Sequence, residues 1–447
     1  MQEINRLSSR LYAAISFYHF YCKDYEKCNL VAQKAISFAL ATRDNDTLIR
    51  ANHLIGVSHF LLKDYEKADQ YIKKSLYSSY AINSPFVFLS INSLKELNYP
   101  FTKGMEKILH TTPLDFKPIS FDSDLKLGDG SYSLFDKDVL TIGKLIKTLR
   151  TEKKITLDQL RFGLCSKSKL SKIENDQLTP SCTLTENLLQ RLGYSERIFT
   201  FWGTDREALI TSMFHEIKAI DISEAIFENK RLQASFQETL NKIENIIVPK
   251  DIIYLQNLYF YKARLAYIKE SRKNALDYLY QAVNYTLPDF DIEKIMTYRL
   301  SFMELNIINN IYCLLYLNKE YDTCMIYHKK LYEYYTKSNL RIDLKSYTFY
   351  RALTISTDFL YTIDKHQDCI DIVDKTDISF LKQDIGSYGD IGFCYCQSLA
   401  KCQKYEAATD IALYTCAALH IYNYDSSARE LIDAFKNDFN INLYDYY

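Results

Sequence analysis

The stretch from Leu140 to Ser195, and within it the run GLCSKSKLSKIENDQLTP from Gly163 to Pro180, constrains this chain more than any other feature. Three short amphipathic segments follow one another here. Leu145 and Leu149 close the first. Thr156 followed by Gln159 forms a capping box, in which a hydroxyl takes the third backbone N–H, so a second helix starts just after the first has ended. Ser166 caps a third. Within that helix Leu170 and Ile173 turn inward at i, i+3 spacing, which leaves Lys167, Ser168, Ser171, Lys172 and Asn175 on the outer face.

Charge is concentrated in the same place. Between Lys144 and Lys172 nine basic residues stand against Glu152 and Asp158, a surplus of seven in a chain whose formal net charge is −1. Such a surplus suits neutralisation of phosphates, which supplies most of the sequence-independent affinity for DNA. The outer face of the third helix would then enter a major groove, with Lys169, Thr156 and Gln159 beside it. A solvated helical face is the plainer reading of the same lysines.

The ordered set LTIGKLIKTLRTEKKITLDQL, LSKIENDQLTPS and LLQRLG, about residues 139 to 195, resembles the XRE-type (Cro/repressor-like) helix-turn-helix domain. The resemblance implies a five-helix-type DNA-binding domain and a structural pair between Arg150 and Glu174. Two departures stand out. Leu157 occupies the place of a glutamine that often grips the DNA backbone, and Cys165 and Asp176 replace the glycines usual in the turn and after the recognition helix.

The first hundred residues contain a repeat. KDYEKC, ending at Cys28, returns as KDYEKA, ending at Ala68, a period of 40. Ser16 and Gly56 lie twelve positions earlier, Ala35 and Ser75 seven later, where small residues let two antiparallel helices close on each other and stack on the next pair. This resembles the tetratricopeptide repeat, with a longer period and no signature tryptophan. Weaker copies end at Ala275, Cys324, Cys369 and Ala408, at uneven spacing. The expected architecture is therefore all-α: the helix-turn-helix domain flanked by tetratricopeptide-like repeats in a superhelical array. Expected boundaries are 1–99 for N-terminal repeats, 100–136 for a linker containing Pro100, Pro113 and Pro118, 137–200 for the DNA-binding domain and 201–447 for a C-terminal ligand-sensing and dimerisation domain.

Composition narrows the function classes. Only 11 Gly and 7 Pro occur in 447 residues, which favours long helices over a turn-rich β fold. Eleven cysteines lie scattered with no CxxC pair, so neither a zinc site nor a disulfide framework is indicated, and a reducing cytoplasm is the expected location. The opening MQEINRLSSRLYAA does not read as a signal peptide, and no run reaches the roughly 18 apolar residues of a membrane span. No phosphate loop, HExxH or paired Ser/His constellation is present, so an enzyme, a metal and a cofactor are not expected. His53 and His59 read as packing or surface residues.

In tetratricopeptide-like arrays the first helix of each pair lines the concave wall. Its inward stripes here are Asn257, Phe260, Arg264 and Tyr267, then Asn306, Asn309, Cys313 and Tyr316, then Arg351, Thr354, Asp358 and Tyr361. Amides can pair with both groups of an extended backbone, and arginine takes a carboxylate, so a peptide groove is one reading. Water-facing polar residues are the other. A helix-turn-helix followed by degenerate repeats is similar to the peptide-responsive regulators of Gram-positive bacteria, the Rgg/PlcR-like group also called RRNPP. That resemblance implies a homodimer, a double-stranded DNA operator and a short signalling peptide as partners. The 136 residues before the DNA-binding domain depart from it. A scaffold whose repeats hold another protein, and whose helix-turn-helix no longer binds DNA, is the alternative.

Overall fold

The computed structural model describes residues 2–42, 44–81, 84, 86–111, 141–193, 204–221, 224–337, 342–376 and 385–443. All regular structure among the described residues is helical. In chain order the helices are α1 (Gln2–Tyr21), α2 (Tyr25–Thr42), α3 (Asn45–Leu61), α4 (Tyr65–Ala81), α5 (Phe86–Glu96), α6 (Lys103–Thr111), α7 (Ile142–Glu152), α8 (Leu157–Arg161), α9 (Lys167–Glu174) and α10 (Cys182–Arg191). There follow α11 (Asp205–Asp221), α12 (Lys230–Ile246), α13 (Ile252–Ile268), α14 (Arg272–Thr286), α15 (Phe302–Leu317), α16 (Tyr321–Lys337), α17 (Ile342–Thr362), α18 (His366–Asp374), α19 (Ile385–Lys401), α20 (Tyr405–Ile421) and α21 (Asp425–Phe439). Of the expected DNA-binding domain, 137–200, the described residues hold four helices, α7–α10, and most of the expected linker falls outside the described residues.

One turn recurs between these helices. Lys23, Lys63, Glu270, Lys319, Asp364, Gln403 and Asn423 all have positive φ, between 58° and 64°. At each, the next residue's N–H donates to a carbonyl five positions back, as Asp24 does to His19 and Ser271 to Ala266, so the outgoing helix ends in a Schellman motif. Five residues after the left-handed residue comes Cys28, Ala68, Ala275, Cys324, Cys369, Ala408 or Ala428, and each is fully buried. A small side chain there lets the second helix close on the first. Gly56 shows how close that is: a Cβ at this position would lie 2.6 Å from Ile72 Cγ1.

The chain divides into two compact units. One comprises 1–126 with 356–447, the other 127–355, and the boundary falls within α17. In the first unit the N-terminal and C-terminal helices share one core. Ala39, Leu48 and Ile49 pack with Ala418 and Ile421, Tyr80 meets Tyr414 at 5.1 Å between ring centroids, and Tyr422 donates to Asn45 Oδ1 at 2.6 Å. His53 is buried there between Ser90 Oγ (3.1 Å from Nδ1) and Ser93 Oγ (3.4 Å from Nε2), and burial pushes its pKa down to about 4.

The second unit holds α7–α10 and the repeats that follow. Ile146, Leu160, Leu170, Ile173, Leu188 and Leu189 form the core of the small domain, and Ile253 of α13 joins it. The two halves are tied by Arg191, at the end of α10. Its guanidinium pairs with Glu304 of α15 (2.5 and 3.4 Å), and both side chains are 0% exposed. It also donates to the carbonyls of Leu160 (3.2 Å), Phe162 (2.5 Å) and Thr286 (3.2 Å). Gly163 lies against the same carbonyl: its φ is +67°, and a Cβ would come within 1.9 Å of Thr286 O.

Two measurements check this account. Arg191→Met strands Glu304 without its cation, so denaturation of the full chain should show a loss of about 3–5 kcal/mol, largely recovered when Glu304→Gln is added. His53 is held neutral, so below pH 6.5 the unfolded chain takes up a proton that the folded one refuses. Its stabilisation is full at neutral pH and is lost as the pH falls from 6.5 toward 4, by up to about 3 kcal/mol, and His53→Gln should flatten that slope.

Candidate nucleic-acid interface and ligand pocket

Local sequence builds the first site. Thr141, Thr156, Ser166 and Ser181 each cap the helix they precede, and at α8 both halves of the Thr156–Gln159 capping box form. Leu170 and Ile173 are fully buried beneath α9, while Lys167, Ser168, Lys169, Lys172 and Asn175 are exposed and Ser171 is half-buried. Arg150 meets Glu174 through two hydrogen bonds of 2.6 and 2.8 Å and donates to Ile155 O at 2.9 Å. That pair fixes the back of α9 to α7, and the glutamate raises the arginine's pKa further. Asp176 itself adopts the left-handed conformation after α9, with φ of 58°, and Gln177 N donates to Lys172 O at 2.8 Å. The glycine role in the turn before α9 falls to Gly163 rather than to position 165.

The exposed face is less bare than the charge count implies. Asp158 accepts from Lys167 Nζ (2.8 Å) and Arg161 Nε (2.7 Å), and the two cations, Lys167 first, hold its carboxyl below the usual range. Asn175 accepts from Lys147 (3.0 Å) and donates to Ser171 O (2.9 Å). Thr156 and Gln159 bond to each other across their helix start.

A second site lies among the repeats of the same unit. A cavity of about 120 Å³ is lined by Ala263, Arg264 and Tyr267 of α13, Leu279 of α14, Asn310, Cys313 and Leu314 of α15, and Arg351 of α17. Arg351 Nη2 donates to Asn310 Oδ1 at 2.9 Å, and Arg264 Nε is paired with Asp221 of α11 at 3.0 Å. Two guanidiniums and an amide thus border an apolar floor, a combination suited to a carboxylate or a peptide backbone beside an aliphatic side chain.

Of the residues expected on the concave wall, Arg264, Tyr267, Cys313 and Arg351 converge on this cavity. Asn257, Asn306 and Tyr316 do not line it. Asn309 requires correction: it is fully buried and donates to Thr348 O (2.7 Å) and Tyr335 Oη (3.2 Å), so it ties α15 to its neighbours. The pocket takes the next residue, Asn310, because one residue turns a helix by about 100°. Asp358 also serves packing. It lies in the first unit and accepts from Cys394 Sγ at 3.1 Å, with its pKa pushed up to about 6 by burial. Sequence reasoning missed Asp221 and Leu279, which come from helices outside the stripes considered.

No helix among the described residues is long and apolar enough to cross a membrane. No family model matches the sequence. No curated protein matches it either. Among solved structures, this chain is similar to Bacillus thuringiensis PlcR in complex with the peptide PapR7 and DNA, at 15% identity and a TM-score of 0.41, over 65% of this chain and 99% of that one. It is also similar to the apo form of the competence regulator ComR from Streptococcus vestibularis (14%, 0.36, 66% of this chain and 97% of that one) and to a PrgX mutant (14%, 0.24, 67% and 100%). At these TM-scores the likeness assigns no role to any residue.

Proposed function

We propose that this protein is a DNA-binding transcription regulator whose repeats sense a short peptide. The observation that carries the reading is α9: an apolar back seated on Arg150–Glu174 and a core, and an accessible front bearing Lys167, Ser168, Lys169 and Lys172. That front suits the major groove, with the lysines on phosphates and Ser168, Ser171 and Asn175 near base edges. A homodimer on a two-fold operator is the arrangement the reading implies. The pocket bordered by Arg264 and Arg351 takes the ligand. Both α14 and α15 line that pocket, and the same two helices hold Arg191 through Thr286 O and Glu304, so a ligand that shifts either helix acts on the seat of the DNA-binding domain.

A second reading has its own support. Asp158 occupies Lys167 and Arg161 on the face offered to DNA, and Leu157 stands where a backbone-gripping glutamine is usual, which favours a protein-interaction scaffold with a silent helix-turn-helix. A gel shift of the full chain with pooled genomic fragments separates the two.

On the first reading, Lys167→Ala with Lys172→Ala should weaken DNA binding by at least about tenfold and lower the salt slope by roughly two, since each phosphate contact contributes about one. Unchanged affinity would show that α9 is not the interface. Arg351→Met should leave DNA binding in the absence of ligand intact and abolish the change in affinity produced by an activating peptide, read by fluorescence anisotropy.

A further inference from the structure

Another cavity of the 127–355 unit, of about 320 Å³, lies where three elements meet: the turn after α7, the end of α10 and the segment leading into α15. Local sequence puts cations on it. Lys154 takes the left-handed conformation, with φ of 53°, and Ile155 N donates to Arg150 O at 3.0 Å, so α7 stops in a Schellman turn that brings both Lys153 and Lys154 to the cavity. Lys153 Nζ donates to Leu192 O at the end of α10. The third element supplies Arg299, half-buried beside Leu300, whose N–H donates to Tyr334 Oη at 3.3 Å.

These charges do not cancel. Arg191 also borders the cavity but is neutralised by Glu304, so the count is Lys153, Lys154 and Arg299 against Glu152, three minus one, or +2. Neither Lys154 nor Arg299 has a hydrogen bond or an ion pair with a described residue. For an exposed lysine that is ordinary. A guanidinium drawn partly out of water with none of its N–H donors taken by protein is not, because its lost hydration goes unreplaced. Other half-buried arginines of this unit find a carboxylate: Arg150 has Glu174 and Arg264 has Asp221.

We propose that this cavity binds a phosphorylated small molecule, its phosphate held by Lys154 and Arg299 with Lys153 alongside. Charge sets the class. A phosphate monoester carries about −1.5 to −2 near neutral pH, which matches the surplus, whereas a monocarboxylate leaves about half of it uncompensated. Its clustered oxygens can take the forked donors of Arg299 and a lysine ammonium together. The volume, at the small end for a ligand site, leaves room for a short carbon body against Ile155, Leu192 and Leu300. Such a ligand touches the α7–α10 segment and the repeats at once, so it adds a second clamp beside Arg191 and Glu304. The cavity shares no residue with the one bordered by Arg264 and Arg351, and its occupancy does not rest on the DNA-binding reading.

Isothermal titration calorimetry of the full chain with glycerol 3-phosphate should show one saturable site. Inorganic phosphate, which leaves the apolar walls uncovered, and succinate, whose two charges lie apart, should both bind more weakly at matched ionic strength. Arg299→Met and Lys154→Met should each lower the affinity for glycerol 3-phosphate by at least about tenfold, as loss of a charge-assisted hydrogen bond predicts, while Lys319→Met, outside the cavity, should not change it. Lys154 is exposed, so its variant keeps the test decisive if Arg299→Met misfolds. No saturable site, an affinity indifferent to both substitutions in folded variants, or inorganic phosphate or succinate bound as tightly would each overturn the proposal. Weaker DNA binding by a folded Arg299→Met in the absence of ligand would also overturn it, by assigning these cations to the nucleic-acid backbone.

Discussion

The placement of the four-helix segment α7–α10 depends on one buried ion pair. Arg191 and Glu304 lie in different halves of their unit, and neither reaches solvent. An ion pair removed from water is favourable only when its remaining donors and acceptors are used. Here they are: the guanidinium reaches three carbonyls, and Glu304 also accepts from Ser301 N as the far half of a capping box that starts α15. The geometry this demands is exacting, so the pair defines one relative orientation. Phe162 packing on Tyr298 and Thr183 donating to Tyr254 Oη at 2.9 Å then fit around it.

The repeats achieve their hairpins with few glycines. At the seven left-handed turns the residue is lysine, glutamate, aspartate, glutamine or asparagine, although the left-handed conformation costs an L-residue about 1–2 kcal/mol. Two effects offset that cost. A side chain restricts the unfolded chain more than glycine does. Lys23, Lys63 and Lys319 also bring a positive charge to the carbonyl end of the outgoing helix. The buried alanine or cysteine five residues later completes the unit. Packing therefore falls on the small residue, and the turn residue needs only to be polar.

This division explains how much was legible from sequence. The spacing from KDYEKC to KDYEKA exposes the small residue directly, and capping boxes announce helix starts by side-chain identity, so the helical architecture and the outward face of α9 could be read. Tyr312 stands twelve positions before Cys324, where the first two repeats carry the small residues Ser16 and Gly56, yet it is fully buried, with its ring 6.3 Å from that of Tyr327. Asn309 and Asn310 differ by one helical step, and amide chemistry cannot tell them apart. Nor could any local pattern show that Ala39 and Leu48 would share a core with Ala418, or that Arg191 would find Glu304 across more than a hundred residues. Those are long-range facts.

Asp158 gives the candidate interface a particular character. It lies about halfway along the cationic run, and its carboxylate engages Lys167 and Arg161 at once, with roughly half of the aspartate side chain exposed. A phosphate approaching either cation must displace or repel that carboxylate. The electrostatic attraction common to all DNA sequences is thereby reduced, while Ser168, Ser171 and Lys172 on the accessible side of α9 are untouched. Discrimination is the difference between specific and non-specific binding, so trimming the shared part raises the ratio even as it lowers the total. An acidic residue among nine basic ones is thus compatible with a module that reads DNA. It argues against one that merely coats it.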